Sequence, residues 1–307
     1  MNKTRIVAIV GPTAVGKSQL ALELAARINA EIISADSMQV YRYLDIGTAK
    51  PTPDEQKKVK HHLIDILYPD EEFSAALFRQ EAGEAISNVD GQGKVAIVAG
   101  GTGLYIKALT RGLFKGPGAD QELRRVLKKK AVLAGNDYLY KELSELDPVT
   151  AARLHLNDSS RIIRAIEVCR LTKKPLSEYH EKHSFKDSPF DTFKIGLYID
   201  RQDIYSRIEK RVDRMIAIGL VDEVKCLLDM GYTRDLNSMQ GLGYKQIAGS
   251  LLGEFSLDEA ILQVKQGTKK YAKRQMTWFR ADPEINWYGY PYDYSRIIQK
   301  TKEFLEA

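Results

Sequence analysis

Short apolar runs alternate with amphipathic stretches along the first part of the chain. Ile6 to Val10, Glu31 to Ser34 and Val95 to Val98 have a strand pattern, and helical patterns follow the first run and cover Ala75 to Val89. The apolar run Leu63 to Leu67 continues this alternation after a loop region. Apolar runs that alternate with helices are typical of a parallel sheet covered on both faces. The pattern therefore predicts an α/β fold.

The pattern changes after the segment Gly112 to Gly118, whose glycines and proline should end the preceding helix. Little strand signal follows until Phe193 to Ile199, and helical patterns then run to near Arg280. Between these points four stretches favour helices: Glu122 to Leu133, Tyr138 to Leu146, Pro148 to Leu154 and Ser160 to Leu171. We predict a helical insertion domain at residues 115–190, within a core made of residues 1–114 and 191–307.

The first strand leads directly into the segment Gly11-Pro12-Thr13-Ala14-Val15-Gly16-Lys17-Ser18. This segment matches the phosphate-binding pattern G-x-x-x-x-G-K-[ST] in the strand, loop and helix context that the pattern requires. Its two glycines let the backbone curl around an anion, Lys17 adds a positive charge, and the Ser18 hydroxyl suits Mg²⁺. The alternative is an ordinary glycine turn. We predict a P-loop NTPase-like core that binds a di- or triphosphate.

Composition narrows the class of protein only a little. The chain has 307 residues, of which 44% are hydrophobic and 28% charged. Its apolar runs fall far short of the roughly 18 residues of a membrane span, and it has no leader-peptide pattern, so we expect a cytoplasmic protein with no membrane partner. Cys169 and Cys226 lie outside metal-binding spacings and should be reduced thiols. The adjacent His61 and His62 would project to opposite faces of an extended segment, which disfavours a shared metal ion.

The position of the basic residues is more informative than the net charge of +5. The segment from Lys265 to Arg280 contains six basic residues and no acidic one, with lysines at helical spacing and aromatic residues nearby. This segment fits two interpretations equally well: a solvated lysine face, or a surface that binds a polyanion.

Asp36 is the most informative carboxylate. It follows the short strand Ile32 to Ser34, and ligands of open α/β sheets bind beyond the carboxyl ends of the strands. A turn or helix-capping role is the alternative. The strand Val95 to Ala99 ends in Gly100-Gly101-Thr102-Gly103 rather than in the aspartate that holds Mg²⁺ in common NTPases, which argues against ATP hydrolysis. Asp200, after Phe193 to Ile199, is a further candidate for a metal ligand.

At this point the chain resembles a known family, the tRNA dimethylallyltransferases, also called tRNA isopentenyltransferases. The resemblance covers nearly the whole chain. The sequence departs from the eukaryotic members, which often carry a C-terminal zinc finger, and looks like the shorter bacterial form. It rests on six motifs in matching order and spacing: Gly11 to Ser18, Ser34 to Tyr41, Asp45 to Pro51, His61 to Asp65, Gly100 to Tyr105 and Gly241 to Gln246.

The resemblance implies transfer of a dimethylallyl group from dimethylallyl diphosphate to N6 of the adenosine immediately 3′ of a tRNA anticodon. The products would be N6-dimethylallyladenosine and diphosphate. We expect Mg²⁺, held in part by Ser18, as the cofactor, and tRNA and dimethylallyl diphosphate as partners of a monomer. The phosphate loop is then a diphosphate site.

The candidate site residues divide by role. Asp36 would accept the N6 proton, and Thr13 and Thr102 would place hydroxyls near the reacting centre, although a turn or cap role fits both threonines nearly as well. The diphosphate would be bound by the phosphate loop and, by resemblance, Arg211: Gly11, Thr13, Ala14, Val15, Gly16, Lys17, Ser18 and Arg211.

The tRNA would contact residues next to the reacting centre, in the insertion and in the motif that begins at Gly241. By resemblance, the insertion holds the anticodon stem-loop. The candidates are Asp36, Ser37, Met38, Gln39, Thr102, Arg124, Ser160, Arg161, Arg164, Gly241, Gly243, Tyr244 and Lys245.

Two other functions remain open at this stage. A small-molecule or nucleotide kinase would share the phosphate loop and the sheet, but the Gly100 to Thr102 strand end and the basic segment near the C-terminus argue against it. A nucleotide-gated RNA-binding module without catalytic activity would need neither Asp36 nor a pocket for a prenyl group.

Overall fold

The computed structural model describes residues 3–114, 116–183 and 188–307. The chain divides into two compact units, the first made of Met1–Thr110 and Ser188–Ala307, and the second of Arg111–Asp187. The insertion therefore begins a few residues before 115 and ends before 190, and residue 115 itself lies outside the described residues.

The first unit is built on one sheet. Its strands in the described residues are all parallel and follow the order β3-β2-β4-β1-β5-β6, which confirms the predicted α/β class. The strands are β1 (Arg5–Val10), β2 (Ala30–Ser34), β3 (His61–His62), β4 (Val95–Gly100), β5 (Asp191–Tyr198) and β6 (Ile285–Gly289).

The helices of the described residues are numbered along the chain, and α5 to α9 form the insertion. They are α1 (Lys17–Ile28), α2 (Pro53–Lys58), α3 (Ala75–Asp90), α4 (Gly103–Arg111), α5 (Gln121–Ala134), α6 (Asn136–Leu146), α7 (Pro148–Ala151), α8 (Ser159–Thr172), α9 (Leu176–His183), α10 (Arg201–Ala217), α11 (Leu220–Asp229), α12 (Tyr244–Leu251), α13 (Leu257–Arg280) and α14 (Tyr294–Glu306).

Strand β1 is buried on both faces of the sheet. Val7 and Ile9 pack in one apolar cluster with residues of α1, α10 and α14. Ile6 and Val10 point to the opposite face and pack with residues of α3 and α4. Because successive side chains of a strand alternate between the two faces, a strand covered on both sides must be apolar throughout. The carboxyl end of this central strand carries the phosphate loop.

Several elements differ from the sequence-based expectation. Leu63 to Leu67 is not a strand, because Leu63 and Asp65 adopt positive φ angles of 61° and 56° that end the extended conformation after His62. Pro148 to Leu154 is shorter than predicted, since α7 ends at Ala151. We did not predict α2, α9, β6 or α14. Strand β6 is five residues long, and its pairing with β5 rather than its own pattern identifies it.

The insertion has a core of its own, formed by apolar residues of α5, α6, α7, α8 and α9. Two buried carboxylates, those of Asp147 and Glu167, lie among its described residues. The Glu167 side chain is fully buried and receives hydrogen bonds from Arg124 at 2.8 and 2.9 Å and from Arg164 at 2.5 Å. Burial alone would raise the pKa of Glu167, but these two arginines outweigh it and keep the pKa below its usual value.

Candidate active site

The phosphate loop joins β1 to α1 in a conformation that requires its glycines. Gly11 and Gly16 have φ angles of 144° and 111°, and a Cβ atom on either would lie 2.8 Å from a neighbouring atom, the Leu197 carbonyl oxygen and the Tyr290 ring respectively. Ala14 is also left-handed, at φ 65°. No side chain caps the start of α1, so its first amides remain available to an anion.

Lys17 is the half-buried cation of this loop. Its ammonium group donates a hydrogen bond to the carbonyl oxygen of Pro12 at 2.7 Å, which is a neutral partner. Burial and, to a smaller extent, the nearby charge of Arg211 lower the pKa of Lys17 to about 7, although the charge of Asp36 acts in the opposite direction. The loop therefore holds a cation that gains from an arriving anion.

Arg211, on α10, is the second cation at this end of the sheet. Burial lowers its pKa, and the charge of Asp36 offsets this in part. Among the described residues, Arg211 forms no ion pair within 4.0 Å. The structure thus brings together Lys17 and Arg211, which are far apart in sequence. The charge of Asp36 raises the pKa of both.

Asp36 lies just beyond the carboxyl end of β2. One carboxylate oxygen, Oδ1, accepts hydrogen bonds from the amides of Met38 at 2.9 Å and Gln39 at 3.4 Å, so the turn interaction that we considered as an alternative does exist. Within the described residues, the second oxygen, Oδ2, accepts no hydrogen bond. Oδ1 therefore stabilises the turn, and Oδ2 remains able to accept a proton.

Two adjoining cavities open at this edge of the sheet. The smaller, of about 80 Å³, is lined by Lys17, Ser18 and the backbone around Gly100 and Gly101. The larger, of about 310 Å³, has more apolar walls, including Met38, Val212, Met215, Leu242, Tyr244 and Val264. Both cavities are lined by Thr13, Asp36, Thr48, Arg211 and Tyr271. An anion in the smaller cavity can therefore extend an apolar substituent past Asp36 into the larger one.

Thr13 and Thr102 occupy different positions. Thr13 lines both cavities, but its amide donates to Oε1 of Gln275 at 2.8 Å and so is not directed at the cavity. Thr102 follows β4, and its hydroxyl oxygen accepts a hydrogen bond from the Ser37 amide at 3.2 Å. It thereby joins the end of β4 to the residue that follows Asp36.

The loop that begins at Asp45 forms part of the wall of the larger cavity. The Glu223 carboxylate accepts hydrogen bonds from the amides of Asp45, Ile46 and Gly47 at 3.0, 2.8 and 3.2 Å, and from the Tyr244 hydroxyl at 2.6 Å. A Cβ atom on Gly47 would lie 2.5 Å from the Tyr244 ring. Tyr244 is thus a buried wall residue whose hydroxyl is already bound.

The other residues assigned to tRNA binding have varied surroundings. Gly241 and Gly243 line the larger cavity, and Lys245 is exposed outside its lining. The side-chain amide of Gln39 accepts a hydrogen bond from the Ser34 hydroxyl and donates to the carbonyl groups of Thr48 and Ala49. Contact of these residues with tRNA therefore stays a prediction.

Within the insertion, the assigned residues differ in their accessibility. Arg124 and Arg164 both bind Glu167, with about 30% of each side chain exposed. Ser160 and Arg161 are exposed, and Arg161 pairs with Asp158 at 3.1 Å.

The face of α13 that lines the cavities was not predicted from the sequence. Tyr271 and Arg274 line the larger cavity, and Tyr271 and Gln275 line the smaller one. Burial raises the pKa of Tyr271 to about 12, and the charge of Asp36 acts in the same direction. The spacing of three and four residues was visible in the sequence, but the basic residues of the same segment drew attention to another face of the helix.

The basic face of α13 has acidic partners after all. Lys265 pairs with Asp213 at 2.6 Å and Lys269 pairs with Glu209, both from α10. The absence of acidic residues from the segment itself was therefore misleading, because the partners come from another helix. Lys270 and Lys273 are exposed.

The described residues contain no group of three or more histidine, cysteine, aspartate or glutamate side chains that could hold a metal ion. His61 binds the Val59 carbonyl group, and His62 binds Glu31. Asp200 precedes α10 and is not among the residues that line either cavity. Nor does any described helix combine the length and apolar character of a membrane span.

Comparison with known proteins identifies the family. The model of the IPP transferase family matches residues 39–282. The tRNA dimethylallyltransferase of Geobacter metallireducens is 53% identical over 303 residues, which cover 99% of this chain and 98% of that protein. This chain belongs to the IPP transferase family. Membership confirms the resemblance seen in the sequence motifs and does not favour the kinase alternative.

Solved structures of the IPP transferase family share the fold. A tRNA isopentenylpyrophosphate transferase from Bacillus halodurans matches with a TM-score of 0.74 and 41% identity, covering 99% of this chain and 97% of that one. A eukaryotic dimethylallyltransferase acting on tRNA matches with a TM-score of 0.84 and 28% identity, covering 99% of this chain and 80% of that one. These matches confirm the predicted P-loop-like core.

Proposed function

We propose that this protein transfers a dimethylallyl group from dimethylallyl diphosphate to N6 of the adenosine immediately 3′ of a tRNA anticodon. Family membership supports prenylation of a tRNA adenosine. One observation supports the site: Asp36 and Arg211 lie on the wall shared by a cationic cavity and a larger, more apolar one. A diphosphate and the group attached to it need such a pair of environments.

The leaving group is the first requirement of the reaction. The bond between the allylic carbon and the diphosphate oxygen breaks, and negative charge accumulates on the diphosphate. Lys17, Arg211 and the amides at the start of α1 would neutralise this charge, which is the kind of electrostatic stabilisation that usually contributes most to catalysis. The cations have no carboxylate bound to them in the described residues, so the diphosphate would supply the missing negative charge.

Mg²⁺ fits this site as a cofactor. Mg²⁺ at phosphate sites usually keeps several waters and is bound largely by substrate phosphate oxygens, and the Ser or Thr hydroxyl of a phosphate loop is a typical protein ligand. Ser18 lines the smaller cavity and would supply that oxygen. When bound, Mg²⁺ would share in neutralising the diphosphate.

The nucleophile is the second requirement. The lone pair of the adenine amino group is delocalised into the ring, so N6 attacks well only if it loses a proton as the new N–C bond forms. Asp36 would accept this proton through Oδ2, the oxygen that the turn does not use. A general base of this kind typically contributes a factor of about 10² to 10⁴ in rate.

The target base must leave its stack to enter the larger cavity. Base flipping costs a few kcal/mol, which contacts elsewhere on the RNA must offset. We assign these contacts to Gly241, Gly243 and Lys245 near the cavity and to Arg124, Ser160, Arg161 and Arg164 in the insertion. We further propose that the protein acts as a monomer. A cytoplasmic location, where bacterial tRNA is found, belongs to the same proposal.

The proposal is tested with purified protein, Mg²⁺, dimethylallyl diphosphate and an unmodified tRNA. Digestion and mass analysis of the tRNA should show one dimethylallyl group on the adenosine next to the anticodon. The matched control is the same tRNA with guanosine at that position, which should remain unmodified. Modification of another nucleotide, or consumption of ATP without any change in the tRNA, would contradict the proposed function.

A further inference from the structure

Gln275 has a buried side chain that links two loops of the active site. It lies on α13, and only 6% of the residue is exposed. Oε1 accepts a hydrogen bond from the Thr13 amide at 2.8 Å, and Nε2 donates one to the Gly101 carbonyl oxygen at 2.8 Å. One side-chain amide therefore binds the phosphate loop and the loop that follows β4.

The topology of the sheet explains why a side chain is needed at this point. Strands β1 and β4 are neighbours whose pairing ends at Val10 and Gly100. Beyond these residues the two segments are no longer paired as strands. The backbone amide of Thr13 and the carbonyl group of Gly101 therefore need a hydrogen-bond partner from elsewhere. A glutamine amide offers one acceptor and two donors, and it satisfies both groups in a single orientation.

Gly101 provides an independent sign that this contact is closely fitted. A Cβ atom at position 101 would lie 2.2 Å from Nε2 of Gln275. Any side chain there would displace the amide. The close approach of Gln275 thus explains why position 101 is a glycine.

The same loop continues to the residues on both sides of Asp36. The Thr102 amide donates to the Ala35 carbonyl oxygen at 3.3 Å, and the Thr102 hydroxyl oxygen accepts from the Ser37 amide at 3.2 Å. A connected path therefore runs from Thr13 through Gln275 and Gly101 to Thr102, and from there to the backbone that carries Asp36.

We propose that Gln275 is a positioning residue for the transfer reaction. By fixing the phosphate loop relative to the loop that holds Asp36, it sets the separation between the leaving diphosphate and the base that takes the N6 proton. The inference rests on the proposed function, and it adds a residue whose side-chain amide is bound to backbone groups of the two loops. Displacements of about 1 Å in such sites can reduce rates by about 10²-fold.

The test uses three variants of the full chain. Gln275→Met keeps the length of the side chain but removes both hydrogen bonds, and Gly101→Ala displaces the amide from the other side. Gln266→Met is the matched control, because Gln266 lies exposed on the same helix. Each variant is examined by single-turnover transfer at saturating concentrations of both substrates, by tRNA binding and by thermal unfolding.

We expect both Gln275→Met and Gly101→Ala to lower the single-turnover rate by about 10- to 100-fold, with tRNA affinity within about threefold of the wild type. The double variant should be little slower than the worse single variant, because both changes break the same link. Gln266→Met should behave as the wild type. If Gln275→Met does not fold, Gly101→Ala and its comparison with the control still decide the matter.

A wild-type rate in folded Gln275→Met or Gly101→Ala protein would overturn the proposal. So would a double variant whose loss equals the product of two large single losses, since the residues would then act separately. A wild-type protein that fails to prenylate tRNA would instead count against the proposed function, so the two failures are distinguishable.

Discussion

The charged side chains at the two ends of the central sheet differ in their partners. Toward the amino ends of the strands, the buried Glu31 carboxylate binds Lys94 at 2.6 Å and His62 at 2.7 Å, and the buried Lys194 ammonium group binds Asp282 at 2.8 Å and Glu284 at 2.6 Å. At the carboxyl ends, Lys17 binds a neutral carbonyl group, and Arg211 forms no ion pair within the described part of the chain.

This difference separates charges that hold the fold from charges kept for a ligand. A buried charge paired within the protein is satisfied, and removing its partner is strongly destabilising. Lys17 and Arg211 are half-buried cations that face a cavity with no carboxylate bound to them in the described residues, and they carry a desolvation cost that a bound anion can offset. We therefore expect substitutions at the amino ends to change stability and substitutions at the carboxyl ends to change catalysis.

The largest expected effect is that of Asp36→Asn at the carboxyl end. Asparagine keeps the oxygen that accepts hydrogen bonds from Met38 and Gln39, but it cannot take a proton. Single-turnover transfer should fall by about 10² to 10⁴, while the thermal melt and tRNA affinity stay near those of the wild type. A near-normal rate would remove Asp36 from the role of base. Loss of tRNA binding with an intact single-turnover rate would make it a reader of the flipped adenine.

The matched change at the amino end is Glu31→Gln, also a carboxylate replaced by an amide. It removes the charged acceptor of the hydrogen bonds from Lys94 and His62, so the free energy of unfolding should fall by about 1.5 to 3 kcal/mol, with the transfer rate per folded molecule unchanged. Urea unfolding measures the first quantity and single-turnover transfer the second. A slower reaction in fully folded Glu31→Gln protein would break the distinction between the two ends.

The same variant makes a prediction about acid stability. Burial alone would raise the pKa of Glu31, but hydrogen bonds from Lys94 and His62 and the charge of Lys60 lower it below its usual value. A carboxylate whose pKa is lower in the folded state stabilises the protein above its unfolded pKa and loses this effect as the pH falls through the folded value. The stability of Glu31→Gln should therefore fall less steeply in acid than that of the wild type.

A smaller effect should appear in the protons that accompany diphosphate binding. The pKa of Lys17 is about 7 in the free protein, so the amine is mostly neutral at pH 8. A bound diphosphate favours the charged form and raises this pKa, so binding at pH 8 should take up about one proton and affinity should decline as the pH rises above 7. Calorimetry in buffers of different ionisation enthalpy measures the uptake. Lys17→Arg, which is charged throughout this range, should show none.

The smallest effect distinguishes a paired lysine from an exposed one on α13. Lys269 is paired with Glu209, whereas Lys273 is exposed. If the exposed lysine contacts an RNA phosphate, Lys273→Ala should reduce the slope of log affinity against log salt by about 1, and Lys269→Ala should change it little. Equal slopes for both variants and the wild type would identify this face as solvated only.

Local sequence was sufficient for the parts of the site that are continuous in the chain. The phosphate loop was predicted in full, because its glycines, Lys17 and Ser18 are adjacent and the strand and helix around it have clear patterns. The place of Asp36 at the carboxyl end of β2 also followed from sequence, since parallel strands all present that end to the same edge of the sheet.

Contacts between distant segments could not be predicted in this way. Gln275 lies 262 residues from Thr13, and Glu223 lies 177 residues from Ile46, so no local pattern announces either hydrogen bond. The acidic partners of Lys265 and Lys269 likewise come from α10, and without them the segment looked like an unpaired basic face.

The sequence by itself determined the α/β class, the phosphate loop and the family, because each depends on residues that are neighbours in the chain or on motifs in a fixed order. Only the tertiary structure decided which buried charges are paired and which face a cavity. That choice depends on the placement of α10 and α13 beside the carboxyl end of the sheet. A charged residue has the same letter in either situation, and its role follows from the partners that folding brings within hydrogen-bonding distance.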